Sequence, residues 1–237
     1  MTTTRAADTD RLYALFPDLE RKLGGKRTLR VATARSGWPS QGIYFFFERG
    51  ETRGDGSPRV VRIGTHALTQ SSGTTLWGRL SQHRGNRSGR NPGGGNHRGS
   101  VFRLHIGAAL LRRDHAPDAL LASWLSKQRD PAWLAAELEH ERAVSQYIGE
   151  MPLLWLSVPT RPDGSSDRGF LERNCIALVS TASGGLDHAS PAWLGREAIN
   201  LAIAASGLWN VNHVDEPYRP QMFDVLERYM RDTCSAS

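Results

Sequence analysis

The chain turns on Gly42-Ile43-Tyr44-Phe45-Phe46-Phe47-Glu48, followed after a polar turn by Val60-Val61-Arg62-Ile63-Gly64-Thr65-His66 and then by Leu76-Trp77-Gly78-Arg79-Leu80-Ser81-Gln82-His83. The first two runs, apolar and rich in β-branched and aromatic residues, are parted by Gly, Asp and Pro and read as a β-hairpin; the third reads as a helix. In the first strand Tyr44, Phe46 and Glu48 share one face and Ile43, Phe45 and Phe47 the other. Both faces are largely apolar, as in a strand covered on both sides. A phenol and the cation of Arg62 therefore lie in or beside a core, and whether they share a face depends on the register.

In the helix, Leu76, Arg79, Leu80 and His83 fall at i, i+3, i+4 and i+7 and form one stripe, with Ser72, Thr74 or Thr75 placed to cap its start. Arg79 and His83 are stacked one turn apart beside the leucines. Taken alone, this also describes an arginine at the rim of a packed face and a histidine near a helix C-terminus, where a cation is favoured.

A strand carrying Gly42-Ile43-Tyr44, a second ending in Ile63-Gly64, and a helix with Arg79 and His83 together resemble the GIY-YIG nuclease family, most closely its restriction-type and related bacterial branches. These motifs cover the first half of the family's core. A later signature, a helical Glu that holds a divalent metal, has its candidate in Phe170-Leu171-Glu172-Arg173-Asn174. One position departs: Arg62 stands where the second motif has its tyrosine.

The resemblance implies an α/β fold of the α+β kind, a small antiparallel sheet flanked by helices, and an endonuclease that hydrolyses DNA phosphodiester bonds. It implies one metal ion on Glu172, a tyrosine near the attacking water, and Arg79 near the scissile phosphate. His83 would hydrogen-bond the phosphate or the tyrosine, and His66 is a further candidate for the same region. A single carboxylate is a sparse ligand set, which suits Mg²⁺ (or Mn²⁺) retaining its waters. A phenol, with an ordinary pKa of about 10, is a poor base unless a cation favours its phenolate. The expectation is that Tyr44 is the base or orients the water, and that Arg62, if on the same face, favours the phenolate and contacts phosphate.

Residues 84–99 hold four arginines (Arg84, Arg87, Arg90, Arg98), six glycines and no acid, and read as a mobile loop facing DNA or as a solvated insertion. Residues 100–107 alternate and read as a third strand; 28–34 read as a further strand and 153–158 as another. Helices are expected from a short N-terminal stretch through Leu12 and Leu19, and from 117–128 and 131–149. In the last two, Trp124, Leu125, Trp133, Leu134, Leu138, Val144 and Ile148 are expected to be buried, and Glu137, Glu139, Glu141 and Arg142 solvated. The helix with Glu172 follows a turn-rich loop, capped by Ser166 or Asp167. Asn174 lies about 200° round from Glu172, so it is expected to act apart from the ion, by orienting a neighbour, contacting the substrate backbone or bonding structurally.

Residues 183–237 read as a helical extension on a nuclease core spanning 38–182, the whole 1–237 being one domain, with helices over 197–205 and 221–231. Asn210, Asn212 and His213 there read as a packed turn or a specificity element. The net charge of +6 and pI near 9.8 favour an anionic partner such as DNA, RNA or a membrane surface. Two cysteines, Cys175 and Cys234, exclude a cysteine-based zinc site and a disulfide scaffold and suit the cytoplasm. Residues 1–10 lack the apolar core of a signal peptide. Three readings stay open: a metal-dependent endonuclease, a catalytically weakened nucleic-acid binder marked by Arg62, and an unrelated α/β protein. Monomer and homodimer are both compatible with the chain.

Overall fold

The computed structural model describes residues 4–66, 68, 73–161 and 163–233; Ser72 and Cys234 lie outside them. The hairpin forms as β2 (Gly42–Thr52) and β3 (Pro58–Gly64), and with β1 (Arg27–Thr28) and β4 (Pro152–Ser157) it makes an antiparallel sheet ordered β1-β4-β2-β3. The helices are α1 (Arg5–Lys22), α2 (Leu76–Arg84), α3 (Val101–Arg113), α4 (Asp118–Leu125), α5 (Leu134–Glu150), α6 (Arg168–Val179), α7 (Leu201–Ser206) and α8 (Met222–Asp232).

The register pairs Tyr44 with Gly64 and Phe46 with Arg62. Directly opposed residues share a face, so Arg62 lies on the Tyr44 face. That face is covered by α2 and α3, with the Phe46 and Phe102 rings 5.5 Å apart. The other is covered by α1, where Phe16 meets Phe45 at 5.0 Å. The glycines at the two ends of the hairpin, Gly42 and Gly64, are demanded by close approach. A Cβ on Gly42 would sit 2.3 Å from the Leu156 carbonyl oxygen, and one on Gly64 would sit 2.3 Å from the Tyr44 hydroxyl.

Several sequence expectations are corrected. Residues 100–107 begin α3 rather than a strand: Ser100 Oγ accepts from Arg103 N, and Phe102, Ile106, Ala109 and Leu110 form a buried helical stripe. Alternation over eight residues fits a strand, but the stripe continues to Leu110 and only a helix carries it. The strand over 28–34 shrinks to a two-residue pairing because Ala32 N turns back to Thr28 O. The helix over 197–205 shortens to α7, started by Asn200, whose side chain accepts from Ala202 N.

The largest correction concerns α5, whose face is turned. Glu137 and Glu141 are buried at 3 % exposure, while Leu125, Leu134 and Leu138 are exposed. The cause is an internal ion-pair cluster: Arg98 grips Glu137 with two nitrogens, and Arg103 and His97 both bond Glu141. This cluster also folds residues 84–99, expected to be mobile. Asn86 N donates to Gly94 O, Gly93 N donates to Asn86 O, and Asn91 Nδ2 donates to Leu138 O at 2.9 Å.

Residues beyond α7 complete the sheet's outer edge. Trp209 N donates to Val61 O at 2.7 Å, and the Asn210 side chain accepts from Ile63 N and donates to Ile63 O. An amide side chain thus serves as the missing neighbour of β3. His213 is held in a turn with positive φ and bonds Glu216, so 210–213 form the packed turn that the sequence offered as one reading.

Candidate active site

The site forms where β3 ends and the chain leaves the sheet between α2 and α6. Thr75 caps α2, its Oγ1 accepting from Gly78 N at 3.0 Å. With Leu76, Leu80 and His83 buried, the 100° helical step turns Arg79 and Gln82 to one flank. That flank faces a cleft lined by Thr65, His66, Leu68, Thr74, Arg79, Gln82 and Glu172. Glu172 is brought to it by α6, whose Leu171, Cys175 and Leu178 are buried. Its Oε1 accepts from Thr65 N at 3.1 Å, which fastens the carboxylate to the end of β3.

Behind the cleft, the Tyr44 hydroxyl and His83 Nε2 are 2.9 Å apart, and His83 Nδ1 meets Ser100 Oγ at 2.9 Å. Both rings are fully buried. Burial pushes the His83 pKa well below its ordinary value, and the cations of Arg62, Arg79 and Arg103 add to the shift. His83 is therefore neutral near pH 7 and acts as a hydrogen-bonding partner of the phenol rather than as a charge. Arg62 stacks over Phe102 at 4.5 Å and donates to Trp209 O at 2.7 Å.

Burial raises the Glu172 pKa, opposed chiefly by Arg62 and then by the Thr65 amide, His213 and Arg79. The Glu172 carboxylate, lining the cleft, is the group here that would hold a divalent ion, and the cations of Arg62 and Arg79 would oppose that binding. Among the described residues there is no group of three or more His, Cys, Asp or Glu able to hold a metal. A metal here would therefore depend on waters and substrate oxygens, as Mg²⁺ does. His66 is 6 % exposed; its Nδ1 donates to Thr74 O at 2.9 Å, while its Nε2 is buried and has no hydrogen-bond partner among the described residues. Burial lowers its pKa, the Thr74 bond opposes this, and Arg168 and Arg79 lower it further.

The structure thus gathers Tyr44, Arg62, His66, Arg79, His83 and Glu172. It does not gather the others. Asn174 is buried, donating to Phe170 O and accepting from Arg219 N, each at 2.7 Å. Arg84 and Arg87 donate to carbonyls of residues 30–32, and Arg98 lies in the α5 cluster; Arg90 is exposed. Sequence reasoning missed Thr65, Thr74 and Ser100. Thr65 follows the second motif directly and was open to notice. The other two act through a loop carbonyl and through the cap of a helix misread as a strand, and carry no local signal.

A family model described as the GIY-YIG domain matches residues 3–236. No curated protein and no solved structure matched the chain. Among the described residues no helix is long and apolar enough to cross a membrane. The α+β sheet, the tyrosine, arginine, histidine and glutamate meeting at its edge, and a match over nearly the whole length agree: this chain belongs to the GIY-YIG family, a domain of nuclease type that acts on DNA.

Proposed function

We propose that this protein is a metal-dependent endonuclease of the restriction-like bacterial branch, hydrolysing DNA phosphodiester bonds in the cytoplasm with one Mg²⁺ or Mn²⁺ ion on Glu172. The observation that carries the reading is convergence: Arg79 and Glu172, from separate helices, line one cleft at the end of β3, with the Tyr44 and His83 pair directly behind it. Glu172 would hold the ion, which when bound would supply positive charge to phosphate oxygens that gain charge in the transition state. Arg79 binds the scissile phosphate and stabilises the same charge from the other flank. Tyr44, hydrogen-bonded to neutral His83, orients the water or, once its own proton has been lost, takes the water's proton as phenolate. Arg62 sets the field on this face and opposes the rise that burial causes in the Glu172 pKa. Thr65 fixes the carboxylate.

The test is supercoiled plasmid with Mg²⁺ or Mn²⁺. Nicking or linearisation, abolished by Glu172→Ala and by chelator, is the expected result; cleavage retained by Glu172→Ala overturns the reading. The second reading, a nucleic-acid binder with weakened catalysis, is favoured by the complete burial of Tyr44 and by the engagement of Arg62 with Trp209 O. It predicts gel shift without cleavage under any divalent ion, and activity gained in Arg62→Tyr.

A further inference from the structure

Buried polar atoms in native folds nearly always have partners, so an orphan beside a cleft calls for an explanation. His66 Nε2 is such an atom. Its other nitrogen donates to a carbonyl, Thr74 O, which fixes the tautomer: the proton is on Nδ1, and Nε2 of the neutral ring carries a bare lone pair. In that state the ring has no proton to offer a phosphate oxygen, so it is poorly suited to the phosphate contact expected from the sequence. It is suited to bind an electron-pair acceptor. A ring nitrogen donating to a backbone carbonyl while its partner nitrogen stays free is the arrangement that orients metal-ligating histidines.

The surroundings point the same way. Thr65, the preceding residue, donates its amide to Glu172 Oε1, so the carboxylate and the imidazole are held by adjacent residues and line one cleft. The backbone is clamped too: Arg168 Nε donates to His66 O. His97 Nε2 also lacks a partner, but that ring is stacked on Trp124 at 3.6 Å and does not line the cleft.

We propose that His66, through Nε2, is a second protein ligand of the divalent ion at Glu172, making this an oxygen-and-nitrogen site that prefers Mn²⁺, Co²⁺ or Ni²⁺ to Mg²⁺. Imidazole is a borderline donor that first-row transition ions take readily, whereas Mg²⁺ strongly favours oxygen. The inference rests on the metal-dependent reading above and adds a ligand that it did not contain.

The experiment needs no DNA substrate. Mn²⁺ is titrated into the full chain and into His66→Ala and Glu172→Ala, affinity is measured by calorimetry, and ¹⁴N coupling to bound Mn²⁺ is read by pulsed electron paramagnetic resonance; Mg²⁺ is titrated in parallel. The expected result is imidazole ¹⁴N coupling in the unaltered protein that is absent in His66→Ala. Mn²⁺ affinity should fall about tenfold or more, and Mg²⁺ affinity should change less than about twofold. The ¹⁴N signal of the unaltered protein decides even if a variant misfolds. Mn²⁺ binding that is lost in Glu172→Ala but shows no ¹⁴N coupling overturns the inference alone. Absence of Mn²⁺ binding, or binding unchanged in Glu172→Ala, overturns the metal-dependent reading with it.

Discussion

His83 is buried without an acid beside it, and this gives the fold a pH dependence of defined sign. Unfolded, the ring titrates near 6.5; folded, its pKa lies well below that. As pH falls through 6.5 the unfolded chain binds a proton that the native ring refuses, so His83's contribution is fully present above that pH and is lost below it. Glu172 and Glu48, whose pKa values are raised by burial, contribute the opposite sign. Comparison with His83→Gln isolates the histidine: the stability of the unaltered protein relative to the variant should shrink by about 1.4 kcal/mol between pH 7.5 and 5.5, read by urea unfolding. A difference that grows instead would show His83 charged in the fold. Tyr44→Phe leaves His83 Nε2 without its partner at a stability cost of about 1–3 kcal/mol, and plasmid cleavage should drop about a hundredfold or more. Gly64→Ala pushes a methyl into the Tyr44 hydroxyl and should cost about 1–3 kcal/mol in the same unfolding assay. The residues at this scale were readable in the sequence because the motifs name them. The 2.9 Å bond between Tyr44 and His83 is one of the two partners that the resemblance offered for His83, whereas the face of Arg62 was not readable, since it depends on a register that hydrophobic patterning on a two-sided strand leaves free.

At the scale of elements, β2, β3, β4, α2 and α6 were readable because their runs are long and their periods clear. The turned face of α5 was not, because Glu137 and Glu141 look solvated until Arg98, Arg103 and His97 are brought against them from residues about 40 positions earlier. A larger separation, 147 positions, conceals the outer edge of β3, where Asn210 supplies both a donor and an acceptor to Ile63. Asn210→Ala should leave two buried backbone groups unpaired and destabilise by about 2–4 kcal/mol in thermal or urea unfolding, and Asn210→Leu, which keeps the side-chain volume without a donor or acceptor, should cost about as much. A clearly smaller loss in Asn210→Leu would mean that side-chain volume, not strand mimicry, is what matters there.

Over the whole molecule, the charge of +6 is not spread as the sequence implied. Arg98 holds the α5 cluster together, so Arg98→Ala should destabilise by about 3 kcal/mol by leaving Glu137 buried and unpaired. Arg90 is exposed, and Arg90→Ala should leave stability unchanged while lowering the slope of log affinity for DNA against log salt by about 0.9. Fluorescence anisotropy across a salt series beside unfolding curves separates the two; a salt slope altered only by Arg98→Ala would reverse the assignment. The edge of β3 also bears on synthesis. Val61, Ile63 and Arg62 all find partners at Trp209 and Asn210, so while a ribosome is still translating residue 206 the strand next to the cleft has an open rim and Arg62 lacks its hydrogen bond to Trp209 O. On the nuclease reading proposed above, the working surface therefore cannot be finished until residues 209 and 210 have been made, and a messenger truncated before that point yields a polypeptide without the completed site.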